Sequence, residues 1–272
     1  MMLVALVTTL LNACAGIERL AIPDAQLIDT ELASVGYQAE PDHRAWDMFL
    51  KRYLVIDSEG LGRLAYADVS EQDKVALDDY IALLSGLDAT LWSRNAQLAY
   101  WVNLYNATTV AVILDHYPVK SIRDIKSGLL DLGPWEEKRL LVNGRLLSLH
   151  DIEHGVVRAI WSDTPEIHYL LNCAAVGCPT LVGYAYTADN VSAALGVNAR
   201  AFTNSPRGVS VTDSNRLVLS KIYAWYLDDY GGSTATTVEH LLQYADPDTR
   251  MILEAYRGPV RYVYDWSLND AI

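Results

Sequence analysis

The residues able to do chemistry gather in one stretch, Ser148 to Pro179, reading SLHDIEHGVVRAIWSDTPEIHYLLNCAAVGCP. It holds three of the six histidines (His150, His154, His168) and two of the three cysteines (Cys173, Cys178). A thiol becomes a nucleophile when an imidazolium or a helix N-terminus lowers its pKa. The imidazole in turn needs an acceptor that fixes its tautomer. Cys173 or Cys178, His154 and Glu153 are the right types for such a Cys-His-carboxylate site, with His168 and Asn172 as secondary members. Two thiols five positions apart also suit a disulfide in an oxidising compartment. Their spacing suits metal ligation too, so thiol, bridge and ligand all stay open on the residues alone. A rival reading is metallic: His150 to His154 fits H-x-x-E-H, the inverted zinc-protease pattern, with a third ligand drawn from elsewhere.

Local patterning predicts how these groups are held. Ser148 caps a helix over about Leu149 to Trp161, with Asp151 completing a weak capping box. His150 and His154 share one face of it, with Arg158 a turn beyond. Glu166 to Asn172 reads as a strand in which His168, Leu170 and Asn172 alternate against Tyr169, Leu171 and Cys173. Ala174 to Cys178 then forms a strand-end loop whose N–H groups could line an oxyanion hole.

The scaffold reads as an α+β single domain with a central buried helix, amphipathic helices and antiparallel hairpins. The central helix is Arg94 to His116, apolar nearly all round and ended by Pro118. Asn103 and Asn106 lie three apart on one face of it, and their amides are expected to bind neighbouring backbone. Trp46, Phe49, Leu50 and Tyr53 form one stripe over Asp42 to Leu54. Val75, Leu77, Tyr80, Ile81 and Leu84 form another over Ser70 to Leu84. Asn143-Gly144 between apolar runs marks a hairpin; a second turns at Asp213 to Asn215. Helices are expected over Thr187 to Phe202, Ser220 to Tyr230, Thr237 to Tyr244 and Asp248 to Tyr256. The tail, Pro259 to Trp266, alternates as a strand.

With 272 residues, 51% of them hydrophobic, the chain can bury a sizeable core. Its net charge of −13 repels phosphate backbones, so no nucleic-acid partner is expected. Met1 to Leu11 is apolar but short for a membrane span. With Leu11-Asn12-Ala13-Cys14 behind it, it resembles a lipoprotein signal lacking the usual leading basic residue. The expected organisation is a signal segment 1–14 lipidated at Cys14, a linker 15–40 and a domain 41–272. That places the chain on the periplasmic side of the cell envelope, or outside it if the signal is simply cleaved.

WVNLYNA, SLHDIEHGVVR, IHYLLNCAAVGCPTL, AYTADNV, LSKIYAWYLDDYG and YVYDWSLN follow one another as in the domain-of-unknown-function 547 family, which the chain resembles over about residues 98–270. The resemblance implies a papain-like cysteine hydrolase with a Cys-His-Glu type site, and so Cys178 or Cys173 with His154 and Glu153. Ala174 stands where that family has Gly, and Gly177 where it has Ser, which favours Cys178 as the attacking thiol. The family's Asn at position 150 makes the metal pattern incidental. The function expected is hydrolysis of an ester, amide or peptide bond in a small-molecule or peptide substrate, with no cofactor and no metal. The alternatives are a zinc-dependent hydrolase and a non-catalytic lipoprotein module with a Cys173–Cys178 disulfide.

Overall fold

The computed structural model describes residues 40–126, 133–212, 214 and 216–271. The signal segment, Cys14, nearly all of the linker and two residues of the second hairpin turn lie outside them. The architecture is α+β, with helices packed around one long buried helix and, among the described residues, three small sheets.

Helix α1 (Arg44–Tyr53) buries the expected Trp46, Phe49, Leu50 and Tyr53. It leads into β1 (Leu54–Ile56), paired antiparallel with β2 (Gly62–Leu64). Helix α2 (Glu71–Ser85) starts at Ser70, whose hydroxyl accepts the Asp73 N–H at 3.1 Å. Leu77, Tyr80, Ile81 and Leu84 are buried, but Val75 is 57% exposed, which corrects the five-residue stripe. Val75 lies off the arc that meets the core.

Helix α3 (Arg94–His116) has the predicted limits and is buried from Ala96 to Ile113. Among the described residues no helix is long and apolar enough to cross a membrane. The two asparagines of α3 bind backbone, as expected. Asn103 donates to the Tyr186 carbonyl at 2.7 Å and accepts the Tyr186 N–H at 3.0 Å. Asn106 donates to the Leu170 carbonyl at 2.9 Å and accepts the Asn172 N–H at 2.8 Å. Each amide thus pins a loop to the central helix at two points.

The Asn-Gly hairpin forms as read. β3 (Leu140–Val142) pairs with β4 (Arg145–Leu147), and Asn143 and Gly144 take φ of 49° and 72°. Positive φ at both turn positions is what a two-residue turn demands. Helix α4 follows, a π-helical stretch Asp151–Val157 running into the α-helical turn Arg158–Ile160. Its capping box is present: Ser148 accepts the Asp151 N–H at 3.2 Å, and Asp151 accepts the Ser148 N–H at 2.7 Å.

Two expected elements need correction. Glu166 to Asn172 is no strand; Pro165–Tyr169 is a 3₁₀ helix followed by irregular chain. Ile167 to Asn172 are buried almost without interruption, and Pro165 starts a helical turn readily. Ser220 to Tyr230 is no continuous helix either: only Ile222–Trp225, α6, is α-helical. Ser220 instead ends a strand, β6 (Leu217–Ser220), and turns carry the chain on to Gly231 and Gly232, both at positive φ.

Helices α5 (Ala188–Thr203), α7 (Thr234–Tyr244) and α8 (Pro247–Ala255) lie where they were expected. β5 (Val209–Val211) pairs antiparallel with β6, and β6 pairs parallel with β7 (Arg261–Val263). The core has two neighbouring parts. The larger surrounds α3; the smaller joins Tyr169, Phe202, Leu219, Tyr223 and Leu241. α5 contributes Val191 and Ala194 to the first and Ala199 and Phe202 to the second, so it ties them together.

Candidate functional site

The cysteine loop is pinned from both sides. Below it, Asn106 of α3 holds the backbone at Leu170 and Asn172. Within it, Asn172 donates to the Pro179 carbonyl and accepts the Ala174 N–H, at 2.8 and 2.9 Å. Asn172 therefore closes the loop instead of orienting an imidazole. Above it lies the C-terminal tail. Val176 N–H donates to Ser267 and Gly177 N–H to Asp265, each at 2.8 Å, and Asn269 N–H donates to Ala174 at 3.0 Å. The N–H groups of Ala174, Val176 and Gly177 are thus engaged, which leaves the expected oxyanion hole without them.

Gly177 has a physical reason to be glycine. A Cβ there would lie 2.8 Å from the Asp265 nitrogen and 2.9 Å from its oxygen. Ala174 sits at φ 60°, a left-handed conformation that costs a non-glycine residue about 1–2 kcal/mol. Ala174→Gly would relieve that cost, lose a buried methyl of about 0.8 kcal/mol and add about 0.5–1 kcal/mol of chain entropy. The terms offset, so thermal melts should show a shift under about 2 °C. A loss of several degrees would contradict the strain argument.

Cys173 and Cys178 are joined as a disulfide, with their Cα atoms 6.3 Å apart, inside the range a bridge allows. Cys178 is 2% exposed and Cys173 half-buried. The Tyr264 hydroxyl contacts both sulfurs, at 3.1 Å from Cys173 and 3.0 Å from Cys178. The Cys173 N–H also donates to the Cys178 sulfur at 3.0 Å. Among the described residues no imidazole hydrogen-bonds either sulfur, so Cys178 and His154 do not meet as the expected dyad.

The Glu153 carboxylate accepts two tyrosine hydroxyls, Tyr226 at 2.5 Å and Tyr105 at 2.8 Å. Burial pushes its carboxyl up, but its polar surroundings, the two hydroxyls among them, outweigh that and hold it below the usual carboxylate range. It does not orient the His154 ring. His154 Nδ1 instead faces an Arg158 guanidinium nitrogen at 3.2 Å, and its ring lies 4.4 Å from that of His150. An arginine can only donate, so Nδ1 is the acceptor and Nε2 carries the proton. Burial pushes the His154 imidazole down to about 4.

His168, the other candidate base, is engaged elsewhere through Nε2. Its Nε2 lies 2.6 Å from Asp229, and its ring stacks on Tyr226 at 3.9 Å. Arg158 grips the same carboxylate with two hydrogen bonds of 2.7 and 2.8 Å. Burial raises the Asp229 carboxyl, but the His168 and Arg158 hydrogen bonds outweigh it and hold the group well below the usual range. The metal reading gains no support: no group of three or more His, Cys, Asp or Glu among the described residues could hold an ion. The carboxylate of H-x-x-E-H is held by hydroxyls instead.

Tyr105, Tyr226, Asp229 and Tyr264 were not picked out from the sequence. Asp229 carried a faint signal, an acid within the aromatic run YAWYLDDY. The tail carried one too, with aromatics at every second position in YVYDW. Neither pattern says what it will face.

The lowered imidazoles set a pH dependence. His43, buried against Tyr80, is pushed down by burial to about 4, as His154 is. An unfolded histidine titrates near 6.5. Between the two values the unfolded chain binds more protons, so stability rises with pH there. It is full above about 6.5 and is lost as pH falls towards about 4, by up to about 3 kcal/mol for His43. Urea midpoints should fall between pH 7 and pH 5; equal midpoints would contradict the assignment.

Together these features define an α+β domain with a bridged cysteine loop clamped between a central helix and the chain's own tail. Residues 89–203 match the family model described as "Protein of unknown function, DUF547". No curated protein and no solved structure matches the chain. The matched segment contains α3, α4 and the cysteine loop; Asp229 and Tyr264 lie beyond it.

Proposed function

We propose that this protein is a binding module of the cell envelope, anchored through Cys14, in which the Cys173–Cys178 bridge braces the site. The observation that carries this reading is the state of the sulfurs. They are paired with each other, their common neighbour is a tyrosine hydroxyl, and among the described residues no imidazole hydrogen-bonds either. A cysteine hydrolase of papain-like type would need that bridge open and a base brought to one sulfur. A bridge also suits the oxidising compartment that an N-terminal export signal implies.

The binding surface is argued from tryptophan. Trp46, Trp92, Trp101 and Trp161 are buried. The remaining three of the seven, Trp135, Trp225 and Trp266, are half-buried and converge with Tyr264 beside the cysteine loop. Trp266 lies 4.6 Å from Tyr264, 5.6 Å from Trp225 and 5.7 Å from Trp135, ring centre to ring centre. Half-buried tryptophans grouped from separate segments favour ligand contact. Ionised Glu153 nearby and a net charge of −13 favour a neutral or cationic small molecule or peptide over an anion.

The test is a panel of ester, amide and peptide substrates, run on the full chain and on Cys173→Ser and Cys178→Ser. The reading predicts no turnover that depends on either cysteine. Turnover abolished by one cysteine substitution and by His154→Ala would overturn it in favour of the hydrolase.

A further inference from the structure

The two sulfurs of the bridge are not equivalent, and the difference has a chemical direction. Cys173 is half-buried, whereas Cys178 is 2% exposed. The backbone donor favours Cys178: the Cys173 N–H points to its sulfur at 3.0 Å, while the Tyr264 hydroxyl is shared, 3.0 Å from Cys178 and 3.1 Å from Cys173. Burial raises the Tyr264 hydroxyl far above its ordinary value, so it keeps its proton and stays a donor. The Arg207 guanidinium binds the Cys178 carbonyl and donates to Thr180 at 2.8 Å, which places a cation against this end of the loop. Glu153 opposes it from the α4 side, where it is already held by two hydroxyls.

We propose that the bridge is a thiol-exchange site, attacked by an incoming low-molecular-weight thiolate at Cys173 with Cys178 as the leaving group. The incoming sulfur forms a bond to the Cys173 sulfur. The Cys173–Cys178 bond breaks, and its electron pair goes to Cys178 as a thiolate. The Cys173 N–H, the Tyr264 hydroxyl and nearby Arg207 stabilise that charge, and a better-stabilised leaving thiolate departs faster. A second thiolate then attacks the external sulfur of the mixed disulfide and releases Cys173. Two thiols are oxidised to one disulfide as the protein takes up two electrons and becomes a dithiol.

This rests on the bridge in the proposed function and adds a reaction to it. The test treats the oxidised full-length protein with 2-mercaptoethanol under native conditions, quenches with N-ethylmaleimide and maps the peptides by mass. Expected are the mercaptoethanol adduct on Cys173 and the maleimide on Cys178. Tyr264→Phe should slow native opening at least threefold and leave opening in denaturant unchanged. An adduct on Cys178, or a bridge inert in the native state but opened in denaturant, overturns the exchange site and leaves the binding reading standing. Two free thiols before any reductant is added would instead remove the bridge, and both readings with it.

Discussion

Asp229→Ala is expected to lower stability by about 3–5 kcal/mol, the range for removing one partner of a buried ion pair. The magnitude follows from what is left behind. Arg158 loses both of its strong hydrogen bonds, and the His168 ring, 1% exposed at its side chain, loses its acceptor. The guanidinium also lies over the Tyr226 ring at 5.1 Å, while His168 stacks on that ring. Tyr226 therefore loses the two groups that hold it in place to donate to Glu153. Asp229→Asn keeps the shape and one acceptor, and should cost less. Chemical denaturation of both variants checks this; a loss below about 1 kcal/mol for the alanine would show that the network is solvated and weak.

Asn106→Ala should cost about 2–6 kcal/mol, at about 1–3 kcal/mol for each of the two buried groups left unpaired. Its amide serves the Leu170 carbonyl and the Asn172 N–H, both in buried chain, and alanine can replace neither bond. The effect should also reach the cysteines, because Asn172 closes the loop through Pro179 and Ala174. Faster reduction of the bridge than in the parent should accompany the loss of stability. A destabilised protein with an unchanged reduction rate would show that the loop is held by its tail contacts alone.

What the sequence made legible were features with a local cause. α3 is apolar on every side, so its burial needed no partner to be known. Asn143-Gly144 supplies the positive φ that its turn requires, and Ser148 with Asp151 is a local hydrogen-bonded unit. Asn103 and Asn106 could be read as backbone-binding because two amides inside a core must find partners.

The failures lie where long-range packing decides. Ile167 to Asn172 is buried on all sides, so its apparent alternation had no solvent face to report. The aromatic-rich run Ser220 to Tyr230 reads as one helix, but the Ser220 N–H donates to the Gly208 carbonyl and Ser220 pairs with Val263 of β7. The candidate site shows the same division. Glu153, His154 and the two cysteines were recognisable by type, but their partners are Tyr105, Tyr226, Arg158 and Tyr264. Three of those come from other segments, and only the fold brings them in. Arg158 is the local exception, one helical turn from His154 as its spacing required.

The state of Cys173 and Cys178 tests the account most directly. The full-length protein, purified without reductant, is denatured in the presence of N-ethylmaleimide, digested and mapped by mass. The account predicts one linked peptide pair joining Cys173 to Cys178, with no maleimide on either residue. Maleimide on both cysteines, together with native-state labelling of one that is lost in His154→Ala, would contradict it and restore a thiolate nucleophile.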